Sequence, residues 1–177
     1  ILFTEIPAFY EKLSFRRIQE YRFHLAGHHS KGSQTLTSMT CPQDDKLFRR
    51  RFHERAATSH NFWAKDNGTI TAFNALFSTF PTYWSLYYSP SIDGIVSCLL
   101  EDKTLHLFDV IANKMPPLDL ILNHLPTAIE EIYFYFPPDQ FTESATPEPH
   151  LYGHDHLMAH GALPDIKPFM ISPLSRC

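Results

Sequence analysis

Four of the chain's 11 histidines, His150, His154, His156 and His160, fall inside the segment PHLYGHDHLMAH (149–160). Imidazole can ligate a metal or carry a proton near neutral pH, so this is the first place to look for chemistry. Zinc sites favour paired ligands on a hairpin or helix, often with cysteine. The segment has neither CxxC nor HExxH character, so its histidines read as loop residues and no metal is expected. His28-His29 form a second pair, while His24, His106 and His124 lie in regular elements and are expected as satisfied polar side chains. Asp109, in LFDVIA, is a carboxylate among apolar neighbours. Such a group either lines a cleft or bonds a nearby backbone donor. Cys41, Cys98 and Cys177 are widely separated and odd in number, and no partner base marks Cys177 as a nucleophile.

The charge balance narrows the field. Fifteen Lys and Arg against 19 Asp and Glu give a net charge of −4, without the basic face that nucleic acid would require. The one dense basic cluster, FRRRFHER (48–55), sits beside Asp44-Asp45 and reads as a solvated helix face. No apolar run approaches the roughly 20 residues of a membrane span, so no membrane partner is expected. Without CxxC or a secretory signal, a reducing, cytoplasmic setting is the expectation. Hydrophobic residues make up 44% and charged residues 19%, enough apolar material for a substantial core.

The elements that must position these groups read in order along the chain. Residues 1–6 form a strand, and Pro7 opens a short helix over PAFYEKL (7–13), where proline is tolerated at the first turn. FRRIQEYRFHL (15–25) is a strand or a bent strand pair, and AGHHSKGSQ (26–34) a linker loop. QTLTSMT (34–40) alternates as a half-buried strand does, and DDKLFRRRFHERAAT (44–58) and DNGTITAFNALFSTF (66–80) have helical spacing. YWSLYYS (83–89), GIVSCLLED (94–102) and TLHLFDVIA (104–112) are three successive strands, the last two joined as a hairpin through EDKT. MPPLDLILNHLP (115–126) is a helix and EEIYFYFPPD (130–139) a strand stopped by its prolines. Residues 140–156 read as a long loop, with 157–163 and 168–174 as a closing strand pair. Fold class is therefore mixed α/β (α+β), a central mixed sheet flanked by helices.

Within this order, FTEIPAFYEKLSF resembles the trailing strand–helix–strand of the GNAT superfamily of N-acetyltransferases, whose helix carries a pattern like A-x-x-F-Y-x-x-x-G-F. Phe9-Tyr10 match the aromatic pair and Phe15 the aromatic that opens the next strand; Ser14 stands where the family usually has glycine. The element order over 34–177 is similar to a second, diverged unit of the same kind. The resemblance divides the chain into 1–33, the end of an upstream catalytic unit plus linker, and 34–177, a degenerate C-terminal unit. It implies acetyl transfer from acetyl-CoA to an amine acceptor, with the fragment itself inactive.

By the same match Tyr10 is the general acid that protonates the departing thiolate, and Phe9 either packs or lines the coenzyme channel. The carboxylate of Cys177 is a candidate base or a plain surface terminus. In the second unit, the junction that would hold the coenzyme pyrophosphate reads DVIANKMPP (109–117). It has no glycine, and Pro116 and Pro117 remove two backbone donors. The pyrophosphate loop is thus expected upstream of Ile1. The alternative reading is a non-catalytic binding or dimerisation module, a homo-oligomer joined through apolar residues at Ile1–Ile6.

Overall fold

The computed structural model describes residues 1–29, 32, 36–39, 44–64, 85–162 and 167–176. In chain order the elements are β1 (Leu2–Thr4), α1 (Pro7–Glu11), β2 (Phe15–Ile18), β3 (Glu20–His29), β4 (Thr37–Ser38), α2 (Asp45–Glu54), β5 (Ser85–Ser89), β6 (Gly94–Glu101), β7 (Thr104–Ala112), α3 (Leu118–Leu122), β8 (Ile129–Phe134), β9 (Thr146–His150) and β10 (His156–His160). A 3-10 turn follows at Pro173–Ser175. The helix expected over 66–80 lies outside the described residues. Among those residues no helix is long and apolar enough to cross a membrane.

Seven strands form the main sheet in the order β4-β5-β6-β7-β8-β3-β9. Antiparallel pairing runs from β4 to β7, and the β6–β7 hairpin turns at Asp102, whose φ of 52° is left-handed. The chain then crosses over through α3 and lays β8 parallel to β7, so the sheet is mixed, in the expected α/β class. A second sheet of three strands places β10 between β1 and β2. Because β3 pairs with β8 and β9, and β10 with β1 and β2, strands from either side of residue 33 share both sheets.

Three expectations are corrected. Residues 26–29 are not linker: they continue β3 past an irregularity in its pairing with β8. The long loop over 140–156 contains β9, which pairs with β3 on one side and forms the sheet edge. An edge strand tolerates Pro147 and Pro149 because their missing N–H groups remove no ladder bond. Residues 168–174 are not a strand but an irregular segment ending in the 3-10 turn, with Ser172 Oγ accepting the Leu174 N–H at 3.3 Å.

The core lies on one face of the main sheet, where Leu105, Leu107, Val110, Ile132 and Phe134 pack with Ile121 and Leu122 of α3. A β-bulge in β7 inserts one residue opposite β6: Cys98 faces Leu107 but Ser97 faces Asp109. The extra residue reverses the alternation, so Leu105 and Leu107 share the core with Val110 and Ala112, while Ile111 joins Phe48 of α2 on the other side.

Candidate functional site

Tyr10 and Phe9 lie next to each other on α1. Tyr10 is half-buried on α1 and Phe9 is 55% exposed beside it. The Tyr10 ring meets Phe9 edge-on at 5.2 Å and Phe15 of β2 at 5.7 Å, and Phe15 lies 5.4 Å from His160. Ser14 has a φ of 65°, the left-handed conformation that glycine adopts without penalty.

Asp109 is locked rather than open. Arg55 donates to both of its oxygens at 2.7 and 3.3 Å, Ser172 Oγ–H at 3.1 Å, and the Val110 N–H at 2.8 Å. With both ionic side chains under 5% exposed, this is a structural pair. His124 is a satisfied polar side chain, as expected: its Nδ1–H donates to the Leu120 carbonyl at 2.7 Å, and its Nε2 lies 2.9 and 2.7 Å from the Ser89 and Ser91 hydroxyls. Burial pushes the Cys98 thiol up to about 12, which leaves it protonated and unreactive. Cys41 and Cys177 lie outside the described residues. The four histidines of 150–160 spread over β9, β10 and the turn between them, and no group of three or more ligating side chains converges among the described residues.

The arrangement that the sequence reading missed lies on the sheet face opposite the core. Alternate residues of five strands meet there: Glu101 of β6, His106 and Phe108 of β7, Tyr133 at β8 with Tyr135 just beyond it, Arg22 and His24 of β3, and Glu148 and His150 of β9. The pairing register sets His106, Tyr133 and His24 in one row, and their rings stack across three strands at 5.5 and 4.8 Å. Arg22 lies 4.2 Å over the Tyr133 ring and bonds Glu148 at 3.1 and 3.2 Å. Period-2 alternation of ring and charged side chains along β3, β8 and β9 was the available signal.

Two hydrogen-bonding contacts join a carboxylate, an imidazole and a phenol. His106 Nε2 faces Glu101 Oε2 at 3.4 Å, and Nδ1 lies 3.0 Å from the Tyr135 hydroxyl. A carboxylate only accepts, so the neutral ring carries its proton on Nε2 and the Tyr135 O–H donates to Nδ1. Burial lowers the His106 pKa, opposed by Glu101, and burial raises that of Tyr135. Both groups are thus neutral at pH 7.

Two cavities flank the segment 149–153. One, of about 250 Å³, is lined by Leu99, Glu101, His106, Phe108, Tyr135, Tyr152 and Gly153, whose φ is 64°. The other, of about 480 Å³, opens on Glu20, His150, His156 and Arg17. Between them lies a buried ion pair of Glu20 and Arg176, whose guanidinium also sits 5.3 Å from the Tyr152 ring. Burial, then Arg22 and Arg176, depress His150 to about 4, so it faces the larger cavity as a neutral ring.

No family model and no curated protein match the sequence. Among solved structures, the chain is similar to a conserved protein of Enterococcus faecalis described as a probable N-acyltransferase, with 11% identity and a TM-score of 0.47. The likeness covers 80% of this chain and 40% of that one, so this chain spans about two fifths of that protein's length.

Proposed function

We propose that this chain is the C-terminal part of an N-acyltransferase of GNAT type, one that moves acetyl from acetyl-CoA to an amine. The observation that carries the reading is the strand–helix–strand at residues 2–18. It joins the Phe9-Tyr10 pair and Phe15 in ring contact and sets Ser14, which stands where the family usually has glycine, in the left-handed conformation. The meander β5–β6–β7 followed by the parallel crossover to β8 is consistent with it.

On this reading residues 1–33 complete an upstream catalytic unit, with Tyr10 as general acid and Phe9 on the coenzyme side. Residues 34–177 form a diverged unit that shapes the acceptor side and does not hold coenzyme A. After β7 the chain reaches α3 through Pro116 and Pro117, and α3 has only five residues. That junction supplies neither the donors nor the helix dipole a pyrophosphate needs. The protein would act in the cytoplasm. Equilibrium titration with acetyl-CoA tests this: the longer protein containing this chain should bind it, and residues 1–177 alone should not. Absence of binding by the longer protein overturns the reading.

A second reading has one observation in its favour. Ile1, Ile6, Phe9 and Leu13 are 76%, 61%, 55% and 52% exposed, all from the β1–α1 region. Such a patch suits a non-catalytic binding or dimerisation module. Sedimentation equilibrium discriminates: a dimer broken by Phe9→Glu, with no coenzyme binding, would favour the module.

A further inference from the structure

We propose that the cavity between β6, β7, Tyr135 and the Tyr152–Gly153 turn binds a small primary amine carried on an aromatic or apolar body. As an acceptor site it rests on the acyltransferase reading; as a binding site it stands on the cavity alone.

The walls are rings. Phe108 and Tyr135 lie 4.6 Å apart, and Tyr152 meets them near-perpendicularly at 6.3 and 5.8 Å, so an occupant meets both ring faces and ring edges. Leu99 extends the apolar lining. Electron-rich ring faces attract an ammonium within about 6 Å of their centroids. At about 250 Å³ the space suits a ring with a short chain and is below the ordinary range of drug-sized sites.

The sign of the ligand charge follows from Glu101. Its side chain is 63% exposed and is the carboxylate among the residues lining the cavity. The guanidiniums nearby are matched by carboxylates of their own, Arg22 by Glu148 and Arg176 by Glu20. His106, kept neutral by burial, does not cancel the Glu101 charge; its Nε2 lies 3.4 Å from that carboxylate and its Nδ1 3.0 Å from the Tyr135 hydroxyl. Among the described residues, an incoming ammonium therefore finds one carboxylate, Glu101, beside three aromatic rings. A carboxylate or phosphate ligand would meet Glu101 at close range and be repelled.

The test is calorimetric titration of the 177-residue chain at pH 7 with 2-phenylethylamine, 2-phenylethanol and butylamine. The amine with the ring should bind most tightly, with the alcohol weaker by about tenfold, the size of one charge-assisted hydrogen bond. Glu101→Gln should remove that preference and leave alcohol binding unchanged, while Glu143→Gln, a distant exposed carboxylate, should change nothing. Equal affinity for amine and alcohol, no effect of Glu101→Gln, or no binding of any of the three overturns the proposal. Binding retained in a protein that fails to transfer acetyl groups would instead reject the enzymatic reading and keep the site.

Discussion

Arg176 donates from one guanidinium nitrogen to both carboxylate oxygens of Glu20, at 2.9 Å each, across 156 positions of sequence. Glu20 Oε1 also accepts the Ile171 N–H at 2.9 Å, and Arg176 Nε–H reaches the Ile171 carbonyl at 3.3 Å. The guanidinium lies 4.6 Å over Phe3, so one buried side chain ties the C-terminal segment to both β1 and the start of β3. Removing one member of such a pair strands a charge away from water.

Arg176→Met and Glu20→Gln are therefore each expected to lower stability by about 3–5 kcal/mol, and the double change to recover part of that loss. Guanidinium unfolding of the chain measures it. A single variant within about 0.5 kcal/mol of the parent, the range of ordinary surface changes, would show that the pair is not holding the two segments together.

At Ser14 the backbone favours glycine. A left-handed φ costs a non-glycine residue roughly 1–2 kcal/mol, partly offset by the larger unfolded-state entropy of glycine. Ser14→Gly should stabilise the chain by about 0.5–1 kcal/mol, and Ser14→Val should destabilise it because β-branching disfavours that conformation. Thermal melts of the two variants should move in opposite directions; a shift of both in the same direction would mean that backbone conformation is not the controlling factor.

The pH dependence follows from two depressed histidines. Burial lowers His106, and burial with Arg22 and Arg176 lowers His150 to about 4. The unfolded chain then binds more protons than the folded one below an ordinary histidine pKa of about 6.5, so stability rises with pH through that window. Glu20, raised by burial against the pull of Arg176, works in the opposite sense, favouring the fold at low pH and losing that contribution as pH rises above about 4.5. The His150 contribution falls in the window between about pH 4 and 6.5. Melting temperature should fall on acidification across it, and His150→Asn should flatten the slope. An unchanged slope in the variant would remove His150 from the account.

Much of this fold is written in local pattern. The apolar runs of β6, β7 and β8, and the turn between Glu101 and Thr104, are where reading and structure agree closely. β9 escaped because Pro147 and Pro149 argue against a strand, and only its edge position, a tertiary fact, removes the objection. The bulge that turns Asp109 away from the core leaves no mark in composition. The aromatic sheet face escaped for a related reason: Glu101 and His106 meet across the β6–β7 hairpin, but Tyr135 joins them only once β8 returns parallel to β7. Read singly, a histidine or tyrosine in a strand is an ordinary half-buried residue.

In a protein that carries the proposed upstream unit, Tyr10→Phe isolates the proposed acid. General acid catalysis contributes about 100- to 10,000-fold, so turnover should fall by that order with little change in melting temperature, since the ring contacts with Phe9 and Phe15 persist. Turnover unchanged by the substitution would leave Tyr10 as a packing residue.

The central claim, that this chain belongs to an acyl-CoA-dependent enzyme acting on amines, is tested most directly by following free thiol release from acetyl-CoA. The assay uses protein that carries the proposed upstream unit, with a panel of primary amines that includes 2-phenylethylamine. Amine-dependent release of coenzyme A with formation of the N-acetyl product is the result the account predicts. No release above the amine-free rate with any member of the panel would contradict it.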